Sequence, residues 1–449
     1  MITQKFSHSL NLQELSIQML AESNYDDTKD SNRAELDFIA GYTYPMVQIK
    51  SIDIKPEELI SLEIDSYGKI PKVTCIIRVI KTHDFVMNIL KDREILKVFT
   101  RSNNPDKNHI RLDFFLTSID QINKRDSVQF VLSGELNIPK LNASVNRGFA
   151  GTSLDVIKSI AQELKLGFST NLTSTNDDMV WLATNQTYHQ FIDYVVKHSW
   201  IDDQSFTDWY IDVYNNLVFY EVEDTLMYRE IDTRFYRKFS STKKHYDEAE
   251  NKSFEWKNVL SDLPDFANTD HGFENLRVIN NSKLSKSGYV NNNIILDYAD
   301  LEIVEFISEA ITNENRGVPL KSRPDDETYR DELRSKFLGI QNDNMHSNYM
   351  YAVIHNNINN LELDKLNIEV NVTDINLNYI IGDSIYLQVT EPRLPEMSNE
   401  SMEARKSGVT YDQEQLTNDY QIHGIKHIYK NRAMYTKYLL SRKEWPLGE

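Results

Sequence analysis

Cysteine is almost missing from this sequence: Cys75 is the only one in 449 residues, so neither an intrachain disulfide nor a cysteine-built zinc or iron–sulfur cluster is possible. Glycine and proline are also sparse, 14 and 11 residues, which excludes collagen-like and low-complexity chains. No apolar run approaches the roughly 20 residues that a membrane-spanning helix needs. Met1 to Met19 holds only scattered apolar residues, unlike a secretory leader, so the expectation is a soluble protein made in the cytosol without membrane insertion. Positive charge is in short supply. With 49 Lys and Arg against 68 Asp and Glu the net charge is −19, which argues against duplex DNA or an anionic bilayer as the main partner.

The usual signatures of catalysis are missing too. There is no Gly-rich phosphate loop, no G-x-S-x-G elbow and no His-Glu-x-x-His. His83-Asp84, His189 with His198, and His346 with His355 have the wrong spacing for metal ligands, and a structural or surface role is expected for each. Acidic neighbours such as Glu57-Glu58, Asp177-Asp178 and Asp202-Asp203 invite a glycosidase reading. In so acidic a chain adjacency arises by chance, and Asp177, Asp202 and Asp203 are expected to start or cap neighbouring elements. No catalytic, cofactor-binding or metal-binding residue is assigned, and no cofactor is expected.

What is present is mostly β pattern. Alternation at Val47, Ile49; Val73, Cys75, Ile77, Val79; Leu112, Phe114, Leu116; and Val128, Phe130, Leu132 predicts strands of a first β domain over residues 1–147. The texture changes at residue 148. Thr152 with Asp155 opens a helix carrying Leu154, Ile157, Ile160, Ala161 and Leu164 on one face, with Gly167 as the expected stop. Thr187 with Gln190 opens a second helix, with Tyr188, Phe191, Ile192 and Val195 on its apolar face. Asn215-Asn216 reads as a two-residue hairpin connection between Trp209–Tyr214 and Leu217–Val222. Residues 148–223 therefore read as a helix-helix-hairpin middle domain. Residues 224–344 are charge-rich and irregular, an insertion with part of a second barrel, and Leu301–Ile311 has helical character. Strands return at Leu366–Val372 and Ile385–Val389, and a closing hairpin is expected over Tyr420–Leu440, so residues 345–449 read as a second β domain. The fold class is α+β, mainly β.

In the middle domain, Gly151-Thr152-Ser153-Leu154-Asp155-Val156-Ile157, Leu166-Gly167-Phe168, Asn171, Met179, Trp181, Phe191-Ile192, Val195 and Asp203-Gln204-Ser205-Phe206, leading into Tyr210-Ile211-Asp212, together resemble the central hub protein of contractile phage tail baseplates. The T4-type hub is the nearer likeness and the hub domain of type VI secretion spike proteins the more distant one. Leu439-Leu440-Ser441-Arg442-Lys443-Glu444-Trp445-Pro446 is similar to the ending of many such hubs.

The resemblance implies two tube-type β-barrel domains per chain and a homotrimeric ring adapting the sixfold tail tube to the threefold central spike. It implies as partners the central spike protein, a tail tube or tube-initiator protein, baseplate wedge proteins, and phage DNA passing through the channel without specific binding. Location in the virion tail baseplate and a structural, non-enzymatic role follow. Phe149, Trp181 and Trp445 are candidate assembly or core anchors, aromatics being favoured at both kinds of position. The alternative is a β-rich carbohydrate-binding or glycan-degrading protein acting at a cell surface.

Overall fold

The computed structural model describes residues 7–8, 45–50, 52–79, 94–101, 109–124, 127–203, 205–222, 238–241, 244–247, 252–255, 270–280, 290–297, 301–309, 334–363, 366–372, 379–391, 411–412, 416, 418–430 and 433–442. In chain order the strands are β1 Ser7–His8, β2 Met46–Ile49, β3 Ile52–Ile54, β4 Leu59–Ser66, β5 Lys72–Val79, β6 Ile95–Arg101, β7 His109–Lys124, β8 Ser127–Leu136 and β9 Ser144–Gly151. Helix α1 Ser153–Glu163, β10 Gly167–Thr170, β11 Met179–Thr187, helix α2 Tyr188–His198, β12 Thr207–Ile211 and β13 Asn216–Glu221 follow. Then come β14 Lys238–Ser241, β15 Lys244–Asp247, β16 Lys252–Glu255, β17 Asp270–Asn280, β18 Val290–Asp297, β19 Glu302–Glu309 and β20 Arg334–Gln341. Helix α3 Tyr349–Leu363, β21 Leu366–Val372, β22 Ser384–Gln388, β23 Thr390–Glu391, β24 Tyr411–Asp412, β25 Asn418–Lys430 and β26 Ala433–Arg442 complete the chain. The protein is mainly β, as the alternation predicts.

The two β regions, distant in sequence, form one hydrogen-bonded sheet of 13 strands in the order β22-β14-β17-β21-β26-β25-β4-β5-β8-β7-β6-β2-β3. Their seam is the antiparallel β4–β25 pair, in register from Ile425↔Ser66 to Lys430↔Ser61. Lys426 binds the seam electrostatically: its ammonium lies 3.1 Å from Glu63 and 2.7 Å from Asp65, and 4.4 Å from the Tyr67 ring centroid. Gly424 makes room for this arrangement, since a Cβ there would fall 2.7 Å from the Tyr67 ring and 3.1 Å from its Cα. Strand β22 pairs with both β14 and β25, so hydrogen bonding in the C-terminal half runs round a circuit of strands and returns to its start.

The middle region is a sheet ordered β1-β10-β13-β12 beside α1 and α2. Strands β12 and β13 are buried on both faces. Trp209, Ile211, Leu217 and Phe219 join a core shared with the first β region and both helices, whereas Tyr210, Val218 and Tyr220 join the core of the C-terminal strands. An uninterrupted apolar run such as Leu217-Val218-Phe219-Tyr220 is what two-sided burial demands.

Local signals explain both helices of this region. Thr152 and Asp155 close a capping box at α1, as do Thr187 and Gln190 at α2. Helix α1 ends earlier than Gly167, because Lys165 takes the left-handed conformation (φ 58°) and the Leu166 N–H reaches the Ala161 carbonyl at 2.9 Å. The hairpin turn also differs in detail from the expectation. It is the stretch Asp212–Asn215, with only Asn215 at positive φ (60°), and Asn216 already belongs to β13. The Asp212 carboxylate closes it by accepting from the Tyr214 N–H (2.8 Å), the Asn216 N–H (2.7 Å) and the Asn216 amide (2.7 Å).

Two further corrections fall in the C-terminal half. The described part of Leu301–Ile311 is not helical: Glu302–Glu309 is strand β19, paired antiparallel with β18, because Ile303 and Ile307, four positions apart, fit a period of two as well as a helical one once a partner strand is present. Among residues 345–449, expected as purely β, lies helix α3.

Candidate assembly surface

The ribbon of β9 and β11 holds two of the three sequence-predicted anchors. Trp181 and Phe149 face each other across it, and both are buried. The Trp181 indole N–H donates to the Gly151 carbonyl at 2.9 Å, and its ring meets Tyr194 edge-on at 6.3 Å. Phe149 stacks on Phe191 at 5.2 Å, with the Arg147 guanidinium 4.3 Å from its ring centroid and ion-paired to Glu163. Trp445 lies outside the described residues.

The opposite face of the ribbon carries the residues that sequence reasoning missed. Val180 and Leu182 alternate with Trp181 and Ala183 and point outward, 55% and 59% exposed. Both lie over Gly148, where a Cβ would stand 3.3 Å from Leu182 and 3.4 Å from Val180. A second pair, Leu301 and Ile303 at the turn and start of β19, is 75% and 67% exposed. Among the described residues these four are the most exposed large apolar side chains, and the members of each pair are two residues apart in sequence. The run Met179-Val180-Trp181-Leu182-Ala183 carried the missed signal: a strand apolar on both faces needs both faces covered.

Asp177 is buried and ties three segments together. It accepts from the Ser153 N–H at the start of α1 (2.9 Å), from the Thr175 hydroxyl (2.8 Å) and from the Trp200 N–H (2.9 Å). Asp202 accepts from the Ser205 N–H at 2.8 Å, Glu58 from the Lys55 N–H at 3.2 Å, and Asp203 is exposed. Neither Asp177 nor Asp202 faces a partner carboxylate across a cleft in these contacts.

The histidines are likewise occupied. His346 and His355 each donate an Nε2–H to a backbone carbonyl, of His198 (2.9 Å) and Ser205 (3.0 Å) respectively. His189 packs edge-on to Trp209, and His83 lies outside the described residues. Among the described residues no group of three His, Cys, Asp or Glu side chains is placed to hold a metal ion. Burial pushes the Cys75 thiol up to about 12, consistent with a small core residue within β5. No helix among the described residues is long and apolar enough to cross a membrane.

No family model matches the chain, and no curated protein matches it either. Solved structures do. A tail protein from Neisseria meningitidis aligns over 89% of this chain and 97% of its own, with 10% identity and a TM-score of 0.48. An Escherichia coli component of the type VI secretion system, described as structurally similar to T4 bacteriophage tail proteins gp27 and gp5, aligns over 90% of this chain and 77% of its own, with 8% identity and a TM-score of 0.41. The 43 kDa tail protein of prophage MuSo2 from Shewanella oneidensis aligns over 89% of this chain and 98% of its own, with 9% identity and a TM-score of 0.51. Over 89% of its length the chain is similar in fold to that prophage tail protein, and the chain has the fold of a phage tail protein.

Proposed function

We propose that this protein is the structural hub of a contractile phage tail baseplate, a homotrimeric ring that adapts the sixfold tail tube to the threefold spike and lines part of the DNA channel. One observation carries the reading. Each chain presents two β regions joined edge to edge through β4 and β25 in a single sheet, so three chains supply six such regions around an axis. The β22–β25 pairing supports treating the C-terminal region as a tube-type barrel, and the first β region as its counterpart. The proposed units are 1–147, 148–223, 224–344 and 345–449.

The ring contacts use the outward faces of Val180, Leu182, Leu301 and Ile303, buried against a second copy of the chain. At a charge of −19 the copies repel one another, so their association has to be carried by apolar area. The same acidity keeps passing DNA off the channel wall. In this reading the protein is a scaffold, not an enzyme. It sits in the virion between the central spike, the tube or its initiator, and the wedge proteins, with Trp445 an anchor at the ring or in the core.

Sedimentation equilibrium of wild type against Leu182→Glu and Leu301→Glu tests this. A wild-type trimer favoured by added salt, and weakened at least tenfold by each substitution, is the expected result. A monomer at every salt concentration, with or without spike protein, overturns the proposal.

A further inference from the structure

Helix α3 is docked onto the end of α2 by polar and aromatic groups more than by aliphatic ones. The Asn356 amide donates toward the carbonyls of Val196 (3.3 Å), Lys197 (3.2 Å) and Ser199 (2.9 Å) at the C-terminal end of α2, where the Val196 oxygen also accepts from the Ser199 N–H and hydroxyl. His346, just ahead of α3, donates to the His198 carbonyl, and His355 within it to the Ser205 carbonyl. The Tyr349 ring stacks on His198 with centroids 4.2 Å apart, and its hydroxyl meets that of Tyr194 at 2.6 Å. The His198 Nδ1–H donates to the Tyr194 carbonyl at 2.7 Å, because a carbonyl can only accept. On its other side α3 reaches the β18–β20 sheet, where the Met350 methyl fills the space above Gly339.

We propose that this junction is an acid-released clamp: uncharged His198 and His346 hold α3 on the middle domain, and their protonation frees α3, with the β18–β20 sheet it carries, while α1 and its core stay folded. The inference is independent of the hub reading.

The surroundings fix the sign. Burial lowers His198 to about 4, with Lys197 and His346 pushing the same way and the Tyr194 carbonyl opposing. Burial also lowers His346, opposed by its bond to the His198 carbonyl and by the Asp177 carboxylate. Trp181, Tyr194 and Tyr349 also pack here, with Asp203 acting on Tyr351 of α3 and the titratable ring of His355 facing Trp200 and the Ser205 carbonyl farther along the helix. Folded values lie below the unfolded value near 6.5, so the clamp is at full strength above about pH 6.5 and weakens as pH falls toward 4.

Hydrogen exchange of the intact protein, corrected for the intrinsic pH dependence of amide exchange, tests the clamp. Opening of 349–363 is expected to become at least tenfold more frequent between pH 7.5 and 5, while 153–163 changes little. In a His198→Phe/His346→Gln double variant, which keeps the stacked ring and the donor but cannot titrate, the pH response of α3 disappears. Loss of protection in α3 only together with α1 in the wild type, or an unchanged response in the variant, overturns the proposal.

Discussion

Replacing Asp177 by Asn separates a structural carboxylate from a catalytic one. The Asp177 side chain is buried and satisfies the Ser153 and Trp200 N–H groups through different oxygens. An Asn amide can accept only one of these bonds, and its own NH2 then faces the other donor. Leaving one buried N–H without its charged acceptor costs about 1–3 kcal/mol, and losing negative charge at the start of α1 adds about 0.5 kcal/mol. The expected cost of Asp177→Asn is about 2–3 kcal/mol, and Asp177→Ala, which strands both N–H groups and removes the acceptor of the Thr175 hydroxyl, about 3–5 kcal/mol. Hydrogen exchange at the amides of residues 153 and 200 reads this locally, where about 2 kcal/mol corresponds to roughly thirtyfold more frequent opening. A change in opening below about twofold at both amides, with the fold intact, would refute the reasoning and return Asp177 to the list of candidate functional carboxylates.

Further expectations concern the seam and the helix ends. His427, on β25, is buried against Thr436 and lowered by desolvation to about 4. Its folded value lies below the unfolded one near 6.5, so the stability it confers is complete above that pH and is eroded by about 2 kcal/mol at pH 5. Unfolding midpoints of wild type and His427→Met across pH 7.5 to 5 check this; the substitution removes that share of the slope. Lys165→Gly is expected to raise stability by about 0.5–1 kcal/mol in denaturant titration, since the left-handed φ of 58° costs lysine more than glycine. Gly424→Ala places a methyl against Tyr67 and is expected to destabilise the β4–β25 pair by about 1–3 kcal/mol, read as faster exchange along β25.

Features written in neighbouring residues were legible in the sequence. The capping boxes at Thr152 and Thr187 fixed both starts of the middle helices, and alternation marked strands such as Lys72–Val79 and Leu366–Val372. The end of α1 was misplaced because a lysine, not the nearby glycine, took the left-handed position. Helix α3 was invisible because Asn356, Asn359 and Asn360 are weak helix formers, and its docking face uses amides and imidazoles instead of a periodic aliphatic stripe. The seam joins Glu63 to Lys426 across 363 positions, a separation at which a local pattern carries no pairing information. At the candidate site, Trp181 and Phe149 stood out by residue type, whereas the exposure of Val180 and Leu182 depends on which face of the ribbon meets the helices.

Imaging of the purified protein by negative stain, alone and mixed with its spike protein, tests the central claim most directly when combined with the solution mass of the same sample. The account predicts a particle close to three times the chain mass of 52.5 kDa, seen end-on as a ring with a central hole. A monomer in both preparations, with no annular particles, would contradict it.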